Sequence, residues 1–347
     1  MNDRSPLSWS VEFGEEPGWW RQVQDVDQRS GTTLALFNKC IGPEGAEALA
    51  ELGLPSLEQL TSLNLGGDYR SSNDIGLKGV KALAGLGLPG LPQLTRLNLR
   101  RNAIGDEGLR VLAEQGLPRV PQLTYLDLNG NGIGDEGLTV LAERGLSSVP
   151  QLTYISLRSN LIRSGGAEVL AERGLLSVSK LTTLDLRYNF IEPEGANALA
   201  ERGLPNVPHL TRLFLSGNSI GPAGTKVLAE RGLRSVPQLT DLHLRYNYMG
   251  SNGTKALAEL GLPSVQHLAT LNLWKNNIGP EGAISLAERG LPSVPQLVNL
   301  NLGGNRIGPV GALALAERGL LSVPMLEDLN LYGNSIGDEG AKALAKR

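Results

Sequence analysis

Apolar residues return along this chain at a fixed step. LTRLNLRRNAIG from Leu94 comes back as LTYLDLNGNGIG from Leu123, LTYISLRSNLIR from Leu152 and LTTLDLRYNFIE from Leu181, and the series runs on to LEDLNLYGNSIG from Leu326, 29 residues per step. With the shorter LALFNKCIG at Leu34 and the interrupted LTSLNLGGDYRSSNDIG at Leu60, there are eleven units over about residues 31–347. A period of this length marks a solenoid of stacked units. Within a unit, Leu97 and Leu99 alternate with Asn98 and Arg100, the period of two that buries one face of a strand. The second half, for example EPEGANALAERGLPNVPHL from Glu192, starts with Pro and Glu, continues in Ala and Leu, and closes on Gly followed by Pro. Those signals predict a short helix that stops at the Gly.

The units resemble the leucine-rich repeat, LxxLxLxxN, and their length with a helical second half is similar to the ribonuclease-inhibitor type. GAEALA at 45–50, GANALA at 195–200, GALALA at 311–316 and GAKALA at 340–345 resemble the GALA subgroup of bacterial effectors. The resemblance implies an α/β solenoid, a horseshoe with a parallel β-sheet on its concave face and helices on its convex face. It also implies a module that binds another macromolecule on the concave face, and delivery into a host cytosol if the chain is an effector. GALA proteins pair their repeats with an F-box, and residues 1–30 contain none. Some ribonuclease-inhibitor-like proteins activate GTPases, which is the alternative role that the resemblance implies.

An Asn ends each strand, at Asn73, Asn102, Asn131, Asn160, Asn189, Asn218, Asn247, Asn276, Asn305 and Asn334, with Lys39 in its place in the first unit. An amide donates and accepts at once, so this column is expected to satisfy backbone groups buried at the bend. Glu107, Glu136, Glu194, Glu281 and Glu339 fall in first helical turns, where a carboxylate favours the helix dipole. Residues 1–30 break the period. Trp9, Phe13, Trp19 and Trp20 there suit a cap over the apolar edge of the first unit, leaving 31–347 as the repeat domain. At the other end the chain stops at GAKALAKR, within a helical half. Either a longer protein continues there, or Lys342, Lys346 and Arg347 solubilise an open edge through which two copies are expected to associate. Cys40, the single cysteine, excludes an internal disulfide, suits a reducing compartment and is expected to be a small buried filler. Extra residues in GGDYRSSND lengthen the loop after the second strand, at a rim where loops often contact partners.

Parallel stacking turns the units into a surface map. The residue after LxL runs Phe37, Gly66, Arg100, Asn129, Arg158, Arg187, Ser216, Arg245, Trp274, Gly303, Tyr332. The position before adds Arg96, Tyr125, Tyr154, Arg212 and Asp241; the one further on, Arg101, Tyr188, Tyr246 and Lys275; the middle one, Asp127, Asp185, Phe214 and His243. Exposed Tyr, Trp and Arg in one field have the composition of binding hot spots. The alternative is β propensity, with cross-strand pairs such as Tyr125 and Tyr154 stabilising a sheet. Propensity leaves the arginines unexplained, since Arg158 and Arg187 should repel as neighbours unless Asp185 or a partner's acid intervenes. The expected partner is therefore an acidic or phosphorylated protein surface. Its contacts are expected at Arg96, Arg100, Tyr125, Tyr154, Arg158, Arg187, Tyr188, Phe214, His243, Arg245, Tyr246 and Trp274, with no cofactor.

The charge balance narrows the classes. A formal net charge of -3 shows no basic excess, and Asp127, Asp185 and Asp241 interrupt the basic track, which argues against nucleic acid. No apolar leader and no run of about 18 apolar residues occurs, so a cytoplasmic chain without membrane insertion is expected. There is no GxxxxGK[ST], HExxH or CxxC. The best catalytic trio, Ser216, His243 and Asp241, lacks an oxyanion loop, and Asp241 is expected to pair with Arg212. The chain is expected to be an interaction module and not an enzyme. Near-identical stretches such as LAERGLPSVPQL at 286–297 leave open a consensus-like or designed scaffold without an evolved partner.

Overall fold

In a computed structural model of the chain, which describes residues 16–29 and 31–346, the LxL alternation becomes eleven parallel strands of three residues among the described residues. The fold divides into two compact units, Met1–Leu161 and Ile162–Arg347. The first holds β1 (Thr33–Ala35), β2 (Ser62–Asn64), β3 (Arg96–Asn98), β4 (Tyr125–Asp127) and β5 (Tyr154–Ser156), paired in that order. The second holds β6 (Thr183–Asp185), β7 (Arg212–Phe214), β8 (Asp241–His243), β9 (Thr270–Asn272), β10 (Asn299–Asn301) and β11 (Asp328–Asn330), again in order. Register follows the repeat, Tyr125 facing Tyr154 and Arg212 facing Asp241. Strands β1 to β10 each bury the middle apolar residue and the Leu two residues on, as Leu97 and Leu99 or Leu242 and Leu244 do.

At the bend the Asn side chain joins adjacent repeats. Asn102 Nδ2 donates to the Leu99 carbonyl of its own repeat at 3.1 Å and to that of Leu65 one repeat earlier at 2.8 Å, while its N–H donates to Asn131 Oδ1 at 2.8 Å. In the second unit Asn247 makes the same set with Leu244, Leu215 and Asn276. Lys39 has no such amide, and only its N–H takes part, donating to Asn73 Oδ1 at 2.8 Å.

The helical half departs from expectation. The α-helix of about two turns does not stop at Gly: Asp135–Val140 runs on into a π-turn, Leu141–Gly145, and a 3-10 turn, Leu146–Ser148. Gly145 sits at φ -74°, a conformation open to any residue. Its reason is space, because a Cβ there would lie 2.9 Å from both Ala113 Cβ of the preceding repeat and Leu141 Cδ1. Where Pro follows, as at Pro55 and Pro205, it opens the 3-10 turn and does not end the helical path. The wider π-turn also aims the Glu and Arg of LAERG at neighbouring repeats. Arg144 pairs with Glu114, Arg231 with Glu201 at 2.5 Å, Arg202 with Glu172 at 2.8 Å, and Arg318 with Glu288.

At the front, the helix Trp20–Gln28 buries Trp20 and Val23 against the first repeat, where a Cβ on Gly53 would meet both side chains. Trp19 is buried as well, whereas Trp9 and Phe13 lie outside the described residues. Cys40 corrects an expectation. It is exposed, in the left-handed turn after β1 at φ 51°, with Sγ 3.4 Å from Ser71 Oγ. The apolar filler of that turn is Ile41. In the eleventh repeat Leu326, Leu329 and Leu331 are only half-buried, although Leu297, Leu300 and Leu302 one repeat earlier are sealed. Among the described residues no helix is long and apolar enough to cross a membrane.

Candidate partner-binding surface

The twelve contact candidates divide between the units, Arg96, Arg100, Tyr125, Tyr154 and Arg158 in the first and the other seven in the second. In the first, β3 to β5 set Arg96, Tyr125 and Tyr154 at one register position. Tyr125 stacks on Tyr154 with centroids 4.2 Å apart and planes 9° apart, and the Arg96 guanidinium lies 3.9 Å from the Tyr125 centroid. An aromatic pair of this kind contributes about 0.5–1.5 kcal/mol beyond the area it buries. Burial, with Asp127 adding, pushes the Tyr125 hydroxyl above its ordinary pKa, so it stays a neutral hydrogen-bonding group. Beside this stack the residues after LxL are Arg100, Asn129 and Arg158. Arg100 Nε and Asn129 Oδ1 are buried without hydrogen-bond partners.

In the second unit the side chains interlock more tightly. Asp185, buried, receives Arg187 Nε at 2.9 Å and Nη2 at 2.6 Å in a bidentate pair. That guanidinium lies 4.7 Å from the Phe214 ring, and Phe214 in turn lies 4.7 Å from the His243 ring. Burial, then Arg187, holds the His243 pKa below the ordinary value of 6.5, so the imidazole is neutral near pH 7. Arg245 has no such acid, because its repeat carries His243 where that of Arg187 carries Asp185. Its guanidinium lies among rings, 4.7 Å from Trp274, 5.0 Å from Tyr246 and 6.0 Å from Tyr188, and its Nε is buried without a partner. Lys275 Nζ lies 5.1 Å from the Tyr246 ring, and its hydrogen bond lowers the Tyr246 pKa.

The residue before the ladder Asn is left-handed in both units. Arg101, Ser159, Tyr188, Tyr246 and Lys275 have φ between 52° and 56°, at positions where other repeats carry Gly130, Gly217, Gly304 and Gly333. A side chain in that conformation costs about 1–2 kcal/mol relative to the right-handed one. The two tyrosines are thus held in place against a local preference.

Two roles differ from expectation. Asp127 and Asp185 do not simply interrupt a basic track. Each accepts the N–H two residues on, from Asn129 at 3.0 Å and Arg187 at 3.1 Å, as Asn98 and Asn272 do in their repeats. The residue between the two Leu of LxL is therefore a turn-forming site where it is Asn or Asp, and Ala35, Ser156, Phe214 and His243 are the residues that depart from this. Asp241 does not pair with Arg212. It accepts from Thr240 Oγ1 at 2.7 Å, and Arg212 Nε donates to Thr183 Oγ1 at 3.1 Å, each satisfied on its own side. Ser216 is sealed with its Oγ unpartnered, and the His243 ring packs on Phe214, so the trio with Asp241 forms no hydrogen-bonded relay. Among the described residues no cluster of metal-ligating side chains forms.

Parallel strands at a 29-residue step, each closed by a ladder Asn and backed by a helical half, define a leucine-rich-repeat solenoid. The chain belongs to the leucine-rich-repeat family. The Leucine Rich repeat profile matches residues 60–84, 91–113, 121–142, 179–200, 208–229, 266–287, 297–316 and 324–345, just over half of the chain. No curated protein matches it. Among solved structures the fold is similar to that of an internalin, InlF of Listeria monocytogenes, with a TM-score of 0.54 and 19% identity over 95% of this chain and 93% of that one. InlJ of the same bacterium, at 0.45 and 17%, covers 90% of this chain and 55% of its own. The Arabidopsis receptor kinase HAESA, in complex with the peptide hormone IDA and the co-receptor SERK1, scores 0.47 at 17% identity over 95% of this chain and 51% of that one.

Proposed function

We propose that the chain is a protein-interaction module that holds an acidic or phosphorylated partner against the side chains following its strands. The supporting observation is Arg245, a guanidinium that no carboxylate among the described residues neutralises, set among Tyr188, Tyr246 and Trp274. Rings alone would stabilise strands, but strand stability calls neither for a cation without a counter-ion nor for two tyrosines in left-handed turns. Residues 1–30 serve as a cap on the repeat domain of 31–347. A second, weaker contact surface is the half-buried leucine face of the eleventh repeat.

Affinity capture from source-cell lysate tests the main reading, with Arg100→Glu/Arg158→Glu probing the first unit and Arg245→Glu/Lys275→Glu the second. Arg187 is a poor probe, since reversing it would set a Glu against Asp185 and unsettle the fold. Loss of specific proteins from at least one variant is expected. Identical captured sets from wild type and both variants would overturn the reading.

A further inference from the structure

In the second unit the two positions that follow LxL form a small grid. One row runs Arg187, Ser216, Arg245, Trp274 and the other Tyr188, Gly217, Tyr246, Lys275. β6, β7, β8 and β9 keep these rows in register. The smallest pair, Ser216 and Gly217, thus lies between two Arg–Tyr pairs. Tyr188 leans over Gly217, where a Cβ would stand 2.6 Å from its Cδ1, and at φ 71° the site accepts little but glycine. An open hollow of about 470 Å³ results, walled by Tyr188, Tyr246 and Tyr248, with Gly217, Ser219 and Arg245 completing it.

The polar groups around this hollow are not all satisfied. Arg245 Nε, in its wall, is buried with no hydrogen-bond partner, whereas Ser216 is sealed beneath and does not line it. A buried donor left unmade is costly and marks a place where a ligand or ion completes the network. The charges are also unequal. Asp185 neutralises Arg187, whereas Arg245, and Lys275 on the far side of Tyr246, retain two positive charges that no carboxylate among the described residues pairs. A carboxylate would answer one of these, and a phosphate monoester, at about -1.5 to -2, answers both. The volume exceeds what a bare ion fills, and the walls are rings, which suits a side chain that carries its phosphate on an aromatic or aliphatic stem.

We propose that the hollow over Gly217 is a subsite for a phosphorylated peptide side chain, with Arg245 as its principal ligand. The proposal rests on the interaction reading above and sharpens it to one class of partner.

The test is equilibrium binding of the full chain to a degenerate peptide library fixed at one central phosphotyrosine, against the same library with tyrosine, phosphoserine or glutamate there. The phosphotyrosine library is expected to bind about ten-fold more tightly than the tyrosine library, the scale of one charge-assisted contact. Arg245→Gln should reduce that preference to about two-fold or less, and Arg245→Lys should restore part of it, since it keeps the charge. Arg289→Gln, an equal loss of charge on the helical side, should leave the preference intact, and unchanged unfolding midpoints confirm that each variant is folded. Equal binding of all libraries, a preference that survives Arg245→Gln, or glutamate binding as well as phosphotyrosine would each overturn the proposal. Phosphatase treatment of the lysate before capture separates the two readings. Captured proteins indifferent to phosphatase but lost with Arg245→Glu/Lys275→Glu leave the interaction module standing and remove the phosphate.

Discussion

Tyr188 sits at φ 56° where Gly217 occupies the equivalent turn one repeat later. Replacing it with Gly releases about 1–2 kcal/mol of backbone strain and forfeits about 0.5–1.5 kcal/mol of ring contact. Tyr188→Gly is therefore expected to leave the unfolding midpoint within the equivalent of about 1 kcal/mol of wild type while weakening partner capture. A large loss of stability would mean that the ring is held for packing. His243 yields a second expectation. Burial lowers its pKa first, Arg187 and Arg245 lower it further, and Asp241 and Asp185 pull the other way. Below 6.5 the unfolded chain takes up a proton that the folded chain still refuses, so His243 makes the fold less stable as pH drops through that interval. An NMR titration should place its midpoint below 6.5, and a midpoint at or above that value would refute this account.

Among the elements, glycines separate two kinds of constraint. Gly145→Ala puts a methyl 2.9 Å from Ala113 Cβ and should cost about 1–3 kcal/mol, the penalty of overpacking. Gly85, also in a π-turn of the first unit, has open space where its Cβ would stand, and Gly85→Ala should stabilise by about 0.4–1 kcal/mol through the unfolded chain. Urea unfolding of the two variants distinguishes them; equal effects would show that the close approach at Gly145 does not bind. The contrast also explains what was legible in the sequence. Periodicity two at Leu97 and Leu99 located the strands, because burial of alternate residues is written directly into residue type. The Gly of LAERG reads as a stop in the sequence because a glycine required by a neighbouring backbone and one required by its own φ carry the same letter. Phe37, Tyr125 and Trp274 fell on outward positions by register alone. The hollow is not legible in the sequence, because it depends on one small residue, Gly217, beneath Tyr188 and on His243 standing where Asp185 stands two repeats earlier, and neither is a motif.

For the molecule entire, the division at Leu161 and Ile162 has no counterpart in composition, since the 29-residue step passes through it unchanged. Acidic and basic residues are nearly balanced over the chain, so long-range repulsion does little to keep copies apart. Leu326, Leu329 and Leu331 are expected to draw copies together, giving a mass by light scattering that rises with concentration and falls back with Leu326→Lys. A monomer at every concentration would defeat this. The ion pairs of the LAERG turns carry a different consequence. Where consecutive repeats both carry LAERG, as at Arg202 with Glu172 and Arg231 with Glu201, the Arg of one reaches the Glu of the one before, so the joint left after one whole period is excised is the same joint as before. Recombination between such near-identical stretches can therefore lengthen or shorten the array by complete periods without inventing a new interface. Change of any other length has to be taken up in a loop, as GGDYRSSND does after β2, where the step lengthens and the pairs beyond it still form.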